Sequence, residues 1–190
     1  MKTLKESILS RSSHGGEGFK TQRIEMIEKW LKEYDIENYV INKDFTINVN
    51  GNVSLFRKNL TEFPEYIQFG VVRGNFVCTD NHLTSLRGCP KEVGEGFYCD
   101  INKLTSLEGA PEKVGEKFDC NYNQLISLEG GPKEVGESFY CTRNKLTSLI
   151  GAPKKVGGDF YCSNNKVRFT EDDVRRVCNV RKEVYCYYKI

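Results

Sequence analysis

The stretch FYCDINKLTSLEGAPEKVGEK, residues 97–117, decides the fold. It returns with few changes at 118–138 and 139–159 and begins again at Phe160. Phe76, Phe97, Phe118, Phe139 and Phe160 stand 21 residues apart, as do Cys78, Cys99, Cys120, Cys141 and Cys162. The same interval carries Asn81, Asn102, Asn123, Asn144 and Asn165, and then Leu83, Leu104, Leu125 and Leu146, with Val167 closing that series. Further columns hold Leu86, Leu107, Leu128 and Leu149, then Gly88, Gly109, Gly130 and Gly151, and then Pro90, Pro111, Pro132 and Pro153. Val93, Val114, Val135 and Val156 complete the unit, each followed by glycine. So many columns in register define a repeat of F-x-C-x-x-N-x-L-T-S-L-x-G-x-P-x-x-V-G-x-x, the signature of a solenoid.

The unit has a physical reading. Phe and Cys alternate with an outward residue, as in a short strand. The asparagine ends that strand, where its amide can bond backbone groups exposed at the bend, so the five asparagines form a ladder. Proline fixes its own φ and biases its predecessor away from helix, which keeps the return path extended. One coil cannot bury its Phe, Leu and Val alone, but stacked coils share a continuous core. A degenerate copy precedes the others: Val53, Leu55, Leu60, Phe63, Pro64 and Ile67 mimic the apolar columns, and Lys58 replaces the asparagine. That is the mark of a first, capping repeat.

The pattern resembles the leucine-rich-repeat family over about residues 53–169. The family signature L-x-x-L-x-L-x-x-N-x-L falls on Gly94, Phe97, Cys99, Asn102 and Leu104. Phe, Cys and Gly replace three of its leucines, and Val93 can supply the bulk that Gly94 lacks. The short proline-containing return is similar to the bacterial class of these repeats, including pathogen effectors, and to predicted bacterial and phage proteins. The resemblance implies an α+β solenoid: a right-handed coil with a parallel β-sheet on its concave face.

Caps are expected at both ends. Residues 12–18, rich in Ser and Gly, read as a linker. Thr21 opens a helix to about Tyr34, with Ile24, Ile27, Trp30 and Leu31 on its apolar face. A second short helix is read at Met1–Ser10. Phe45 to Val49 alternates as a strand, and Asn50-Gly51 reads as a hairpin turn into Val53–Leu55. Thr170 to Asp173 starts a helix whose apolar face holds Val174, Val177 and Cys178. Glu183 to Lys189 reads as a strand, with Val184, Cys186 and Tyr188 on one face and Tyr185 and Tyr187 on the other. The organisation is therefore an N-terminal tether and helical cap at 1–44, the solenoid at 45–169 and a helix-strand cap at 170–190.

Charge and chemistry narrow the function. The chain carries 28 basic and 26 acidic residues, a net charge of +2, with Lys and Glu interleaved. No basic stripe invites nucleic acid or a membrane surface. No segment is long and apolar enough to span a bilayer. Met1 to Arg11 lacks the apolar core of a secretory signal, so a cytoplasmic location is expected, in a bacterium or an infected host cell. Of the eight cysteines, five share one repeat column and none forms a C-x-x-C pair. They read as buried, reduced thiols packing as small hydrophobes, while a Cys178–Cys186 bridge stays open. The only histidines are His14 in the linker and His82 in a slot held elsewhere by Lys103, Gln124, Lys145 and Lys166. No phosphate loop, zinc motif or nucleophile elbow is present, so neither an enzyme nor a cofactor or metal is expected.

What varies within the repeat is the set of outward positions. Between Phe and Cys stand Val77, Tyr98, Asp119, Tyr140 and Tyr161; after Cys come Thr79, Asp100, Asn121, Thr142 and Ser163, then Asp80, Ile101, Tyr122, Arg143 and Asn164. In the family these positions face the concave surface. Tyr and Arg are enriched at interface hot spots. The candidate partner-binding residues are thus Tyr98, Asp100, Ile101, Asp119, Tyr122, Tyr140, Arg143 and Tyr161. The leading expectation is a non-catalytic protein-recognition module, such as an adaptor, inhibitor or effector-like binder. The alternatives are a structural or assembly accessory protein, for example one encoded by a phage, and carbohydrate binding by stacked tyrosines.

Overall fold

The computed structural model describes residues 16–187. The expected helix at Met1–Ser10, residues 12–15 of the linker, and Tyr188 and Lys189 lie outside the described residues. Helix α1 (Gly16–Glu33) begins earlier than Thr21 and takes in the last residues read as linker. Its later turns bury Ile27, Trp30 and Leu31, and a helix anchored by packing propagates cheaply from that nucleus. Trp30 lies 6.3 Å from Phe63 and 6.2 Å from Phe69, ring centre to ring centre, so the helix covers the N-terminal end of the core.

Strands follow in pairs: β1 (Tyr39–Ile41), β2 (Ile47–Val49), β3 (Val53–Ser54), β4 (Phe69–Val72), β5 (Phe76–Val77), β6 (Glu92–Val93) and β7 (Phe97–Tyr98). Then come β8 (Lys113–Val114), β9 (Phe118–Asp119), β10 (Glu134–Val135), β11 (Phe139–Tyr140), β12 (Lys155–Val156) and β13 (Phe160–Tyr161). Helix α2 (Glu171–Val177), β14 (Asn179–Val180) and β15 (Val184–Tyr185) end the described chain.

The result is a solenoid with two parallel sheets. An eight-stranded sheet runs β1-β2-β4-β6-β8-β10-β12-β14, and a seven-stranded sheet runs β15-β13-β11-β9-β7-β5-β3. Among the described residues only β1 and β2 pair antiparallel. Each coil thus contributes one strand to each sheet. The Phe-x strands form the seven-stranded sheet, and the charged residue before each repeat valine joins that valine to form the other. Register is kept from layer to layer, with Phe97 opposite Phe118 and Val93 opposite Val114. The phenylalanines from Phe76 to Phe160 accordingly stack at 5.1–5.5 Å, fully buried. One core cluster runs from Ile27 to Cys186.

The Asn50-Gly51 hairpin is corrected. β2 and β3 lie in different sheets, so Asn50 and Gly51 turn the corner between them. The antiparallel partner of β2 is β1. Val49 to Val53 is spaced like Val93 to Phe97, so the corner is the same one that every later coil makes.

At the other end, β14 continues the eight-stranded sheet beside β12, and β15 pairs with β13 with Tyr161 opposite Tyr185. The C-terminal segment is therefore a further coil, with α2 inserted in its return path. A capping box between Thr170 and Asp173 starts that helix. Two expected apolar contacts fail here: Val177 and Val167 are exposed, at 47% and 42%. Phe169 turns inward instead of Val167, because the chain leaves the repeat path to enter α2.

The asparagines act between coils. Asn123 Oδ1 accepts the N–H of Leu104 in the preceding coil at 2.9 Å. Its Nδ2 donates to the carbonyls of Cys99 in that coil (3.0 Å) and of Cys120 in its own (3.3 Å). Asn81, Asn102, Asn144 and Asn165 repeat the pattern. Lys58 stands in the first coil, with no earlier coil to bridge, and the asparagine is dispensable there.

Glycine fixes how closely the coils approach. A Cβ on Gly94, Gly115, Gly136 or Gly157 would collide with the carbonyl oxygen of the residue one coil before. The column thus has a backbone reason for its lack of side chain.

Candidate interaction surface

Strand alternation sends Phe and Cys inward and the residue between them outward. In register, the outward row of the seven-stranded sheet reads Ser54, Val77, Tyr98, Asp119, Tyr140, Tyr161, Tyr185. Tyr140 stacks on Tyr161 and Tyr161 on Tyr185, both at 4.6 Å and within 9° of parallel. That separation is the strand spacing itself, so the rings stand on edge like cards. Burial, then nearby Asp159, pushes the Tyr161 phenol up to about 12. Tyr98 lies over Gly96, where any Cβ would strike its ring.

The next row is polar and cross-linked. Thr79 Oγ1 donates to Asp100 Oδ1 at 2.6 Å, and Thr142 N donates to Asn121 Oδ1 at 2.6 Å. Burial raises the Asp100 carboxyl above its usual range.

Beyond that row comes the corner. Arg57, Asp80, Ile101, Tyr122, Arg143 and Asn164 all have φ between 52° and 59°. This left-handed region is costly for side chains other than Asn, Asp or Gly, by about 1–2 kcal/mol. Even so, the corner holds an isoleucine, a tyrosine and two arginines. Their side chains point into solvent: Ile101 is 45% and Tyr122 50% exposed. Arg57 pairs with Asp80 at 2.5 Å, and the Arg143 guanidinium sits 5.1 Å above the Tyr122 ring.

The expected site residues therefore divide in two. Tyr98, Asp119, Tyr140 and Tyr161 share the strand row, with Asp100 beside them, while Ile101, Tyr122 and Arg143 form the adjoining corner ridge. Tyr98 and Tyr140 do not touch, since Asp119 stands between them in the register. Tyr185 belongs to the tyrosine stack and was not among the sequence candidates. Val184-Tyr185-Cys186 echoes Phe160-Tyr161-Cys162, but the interval is 24 residues rather than 21.

Asp119 is the unusual member. Its Oδ1 accepts the Asn121 N–H at 2.9 Å. Burial first, and then the Asp100 charge, pushes its carboxyl up to about 7, against an ordinary 3.8. A folded-state value above the unfolded one means that the folded chain holds an extra proton between about pH 4 and pH 7. Stability from this group is complete below pH 4 and is lost as pH rises through 7. Asp119→Asn keeps an acceptor for Asn121 and removes the charge. The variant is expected to be more stable than wild type by about 1–2 kcal/mol at pH 8 and no more stable at pH 4. Urea unfolding of both proteins at the two pH values checks this.

The other faces differ. On the eight-stranded sheet the outward row runs Glu92, Lys113, Glu134, Lys155, alternating in sign from strand to strand. Such a row satisfies itself in water. The cysteines are buried and free, and burial raises the thiols of Cys99, Cys120 and Cys141 well above their ordinary range. Cys186 faces Cys162 at 3.0 Å between sulfurs, and not Cys178. Among the described residues no group of three or more His, Cys, Asp or Glu side chains is placed to hold a metal ion. Among them, too, no helix is long and apolar enough to cross a membrane. Compared with known proteins, the chain matches no family model, no curated protein and no solved structure.

Proposed function

We propose that this protein is a non-catalytic recognition module that binds a protein partner across the outer face of its seven-stranded sheet. One observation carries the reading. The corner of each coil, where Asn or Gly would relieve the backbone, displays Ile101, Tyr122 and Arg143 to solvent. Strain kept at exposed positions points to use of those side chains. Beside them lies a tyrosine row of the kind enriched at interfaces, whereas the middle strands of the opposite sheet carry charges that alternate in sign.

Membership of the leucine-rich-repeat class, with a right-handed coil and this sheet on its concave side, belongs to the same reading. The inter-coil asparagine ladder and the leucine columns support it, and parallel strand crossovers favour that hand. Carbohydrate stacking is disfavoured at Tyr161, whose two ring faces are turned toward Tyr140 and Tyr185.

Affinity capture with immobilised wild type, Tyr140→Ala and Arg143→Glu, each verified as folded by circular dichroism, tests the proposal. Both variants are expected to lose the partner, and undiminished capture by both would overturn the reading. Ile101→Asn adds a separate expectation. It should raise stability by about 1 kcal/mol through relief of the left-handed backbone, read by urea unfolding, while weakening capture.

A further inference from the structure

The tyrosine row has a gap. Tyr140, Tyr161 and Tyr185 stand face to face at 4.6 Å, but the position before Tyr140 is Asp119 and the one before that is Tyr98. Two strand spacings put Tyr98 and Tyr140 about 9.5 Å apart, with a short carboxylate at the base between them. The row shares one lean. Tyr98 lies over Gly96, and the Tyr161 hydroxyl reaches Asp159, which occupies the equivalent position two residues before its tyrosine.

The gap is charged. Asp119 has one hydrogen bond, from the Asn121 N–H, and no cation pairs with it among the described residues. Asp100 adds negative potential at its side, and Glu116 and Glu137 act on Tyr98 from the same neighbourhood. Lys117 is the charge with the largest effect on Tyr98, yet its side chain is exposed and makes no ion pair with Asp119.

We propose that the slot between Tyr98 and Tyr140, floored by Asp119, receives an ammonium group from the partner: a lysine side chain or its N-methylated form. This rests on the binding reading given above. A group at the midplane lies roughly 4.8 Å from each strand line, inside the distance of about 6 Å at which a cation is attracted to a ring face. The slot is too wide for a flat group to touch both walls at the 3.5–4.0 Å optimum, whereas the methyl groups of an N-methylated ammonium extend toward both. Burial holds back ionisation of Asp119 in the free protein, and an incoming cation would restore it.

Titration followed by ¹H–¹⁵N NMR tests the slot with three probes: N-acetyl-lysine methylamide, its Nε-trimethyl form and the uncharged N-acetyl-norleucine methylamide. Saturable shifts at Tyr98, Asp119 and Tyr140 are expected for the two cations and not for norleucine. Asp119→Asn should weaken them at least tenfold. That variant is expected to be the more stable protein, so unfolding would not explain a loss. Equal shifts from norleucine, no shifts from the cations, or unchanged affinity in Asp119→Asn would each overturn the proposal. Partner capture separates the two readings. If Asp119→Asn keeps the partner while Tyr140→Ala and Arg143→Glu lose it, the slot fails and the face stands. If all three keep it, the face itself fails.

Discussion

Asn123→Ala is expected to destabilise the chain by about 1–3 kcal/mol. The side chain bridges two coils through four hydrogen bonds, to Leu104 N and to the carbonyls of Cys99, Cys120 and Asn121. Alanine leaves the Leu104 N–H unpaired in the interior, while the three carbonyls keep other donors: Asn102 Nδ2 on Cys99, Asn144 Nδ2 on Cys120 and the Ile101 N–H on Asn121. Each buried orphan costs roughly 1–3 kcal/mol. The contrast is Lys58→Ala, at the same column in the coil with no predecessor, where a change within about 0.5 kcal/mol is expected. Urea unfolding of both variants checks the pair, and equal effects would mean that the ladder does not join coils.

Gly115→Ala should be at least as damaging, at roughly 3 kcal/mol or more. The new Cβ would meet the carbonyl oxygen of Gly94, and its nearest neighbours are all Gly94 backbone, which leaves nothing flexible to yield. Relief requires prising apart two coils that are also joined by Gly115 N–H to Val93 O at 3.0 Å. Packed interiors answer such overfilling with strain and backbone shifts. Gly18→Ala is the control. It lies in α1 with open space around its would-be Cβ, and alanine there should stabilise by about 1 kcal/mol. Thermal unfolding of the two variants should therefore move in opposite directions.

Much of this architecture was legible in the repeat columns, because the inward positions recur at one interval and leave little choice of stacking. Phe118, Cys120, Leu125 and Val135 could be placed in the core from spacing alone, and the asparagine ladder from its chemistry. The second sheet was not legible. From β6 onward its strands are two residues long with a single inward valine, and no second inward residue like the cysteine of F-x-C follows to show alternation. The turn at Asn50-Gly51 misled because its composition suits a hairpin, whereas the pairing of β2 with β4 is a tertiary fact. The last coil was hidden by α2, which lengthens the interval to Tyr185.

The candidate surface was legible as a set of variable columns but not as a shape. Nothing in the residues Ile101, Tyr122 or Arg143 announces a positive φ; the preference of the corner runs against all three. The lone acid in a tyrosine column was visible at Asp119, but its burial was not. That depends on side chains one coil away on either side, which only the register brings together.

The central claim is that one face, the outer side of the seven-stranded sheet with its corner ridge, meets the partner. Site-specific photo-crosslinking tests it most directly, with benzoylphenylalanine placed at Tyr122 on that face or at Lys113 or Lys155 on the opposite sheet. Crosslinks to the partner from Tyr122 and none from the two lysine positions are predicted. Crosslinks from Lys113 or Lys155, with Tyr122 silent, would contradict the account.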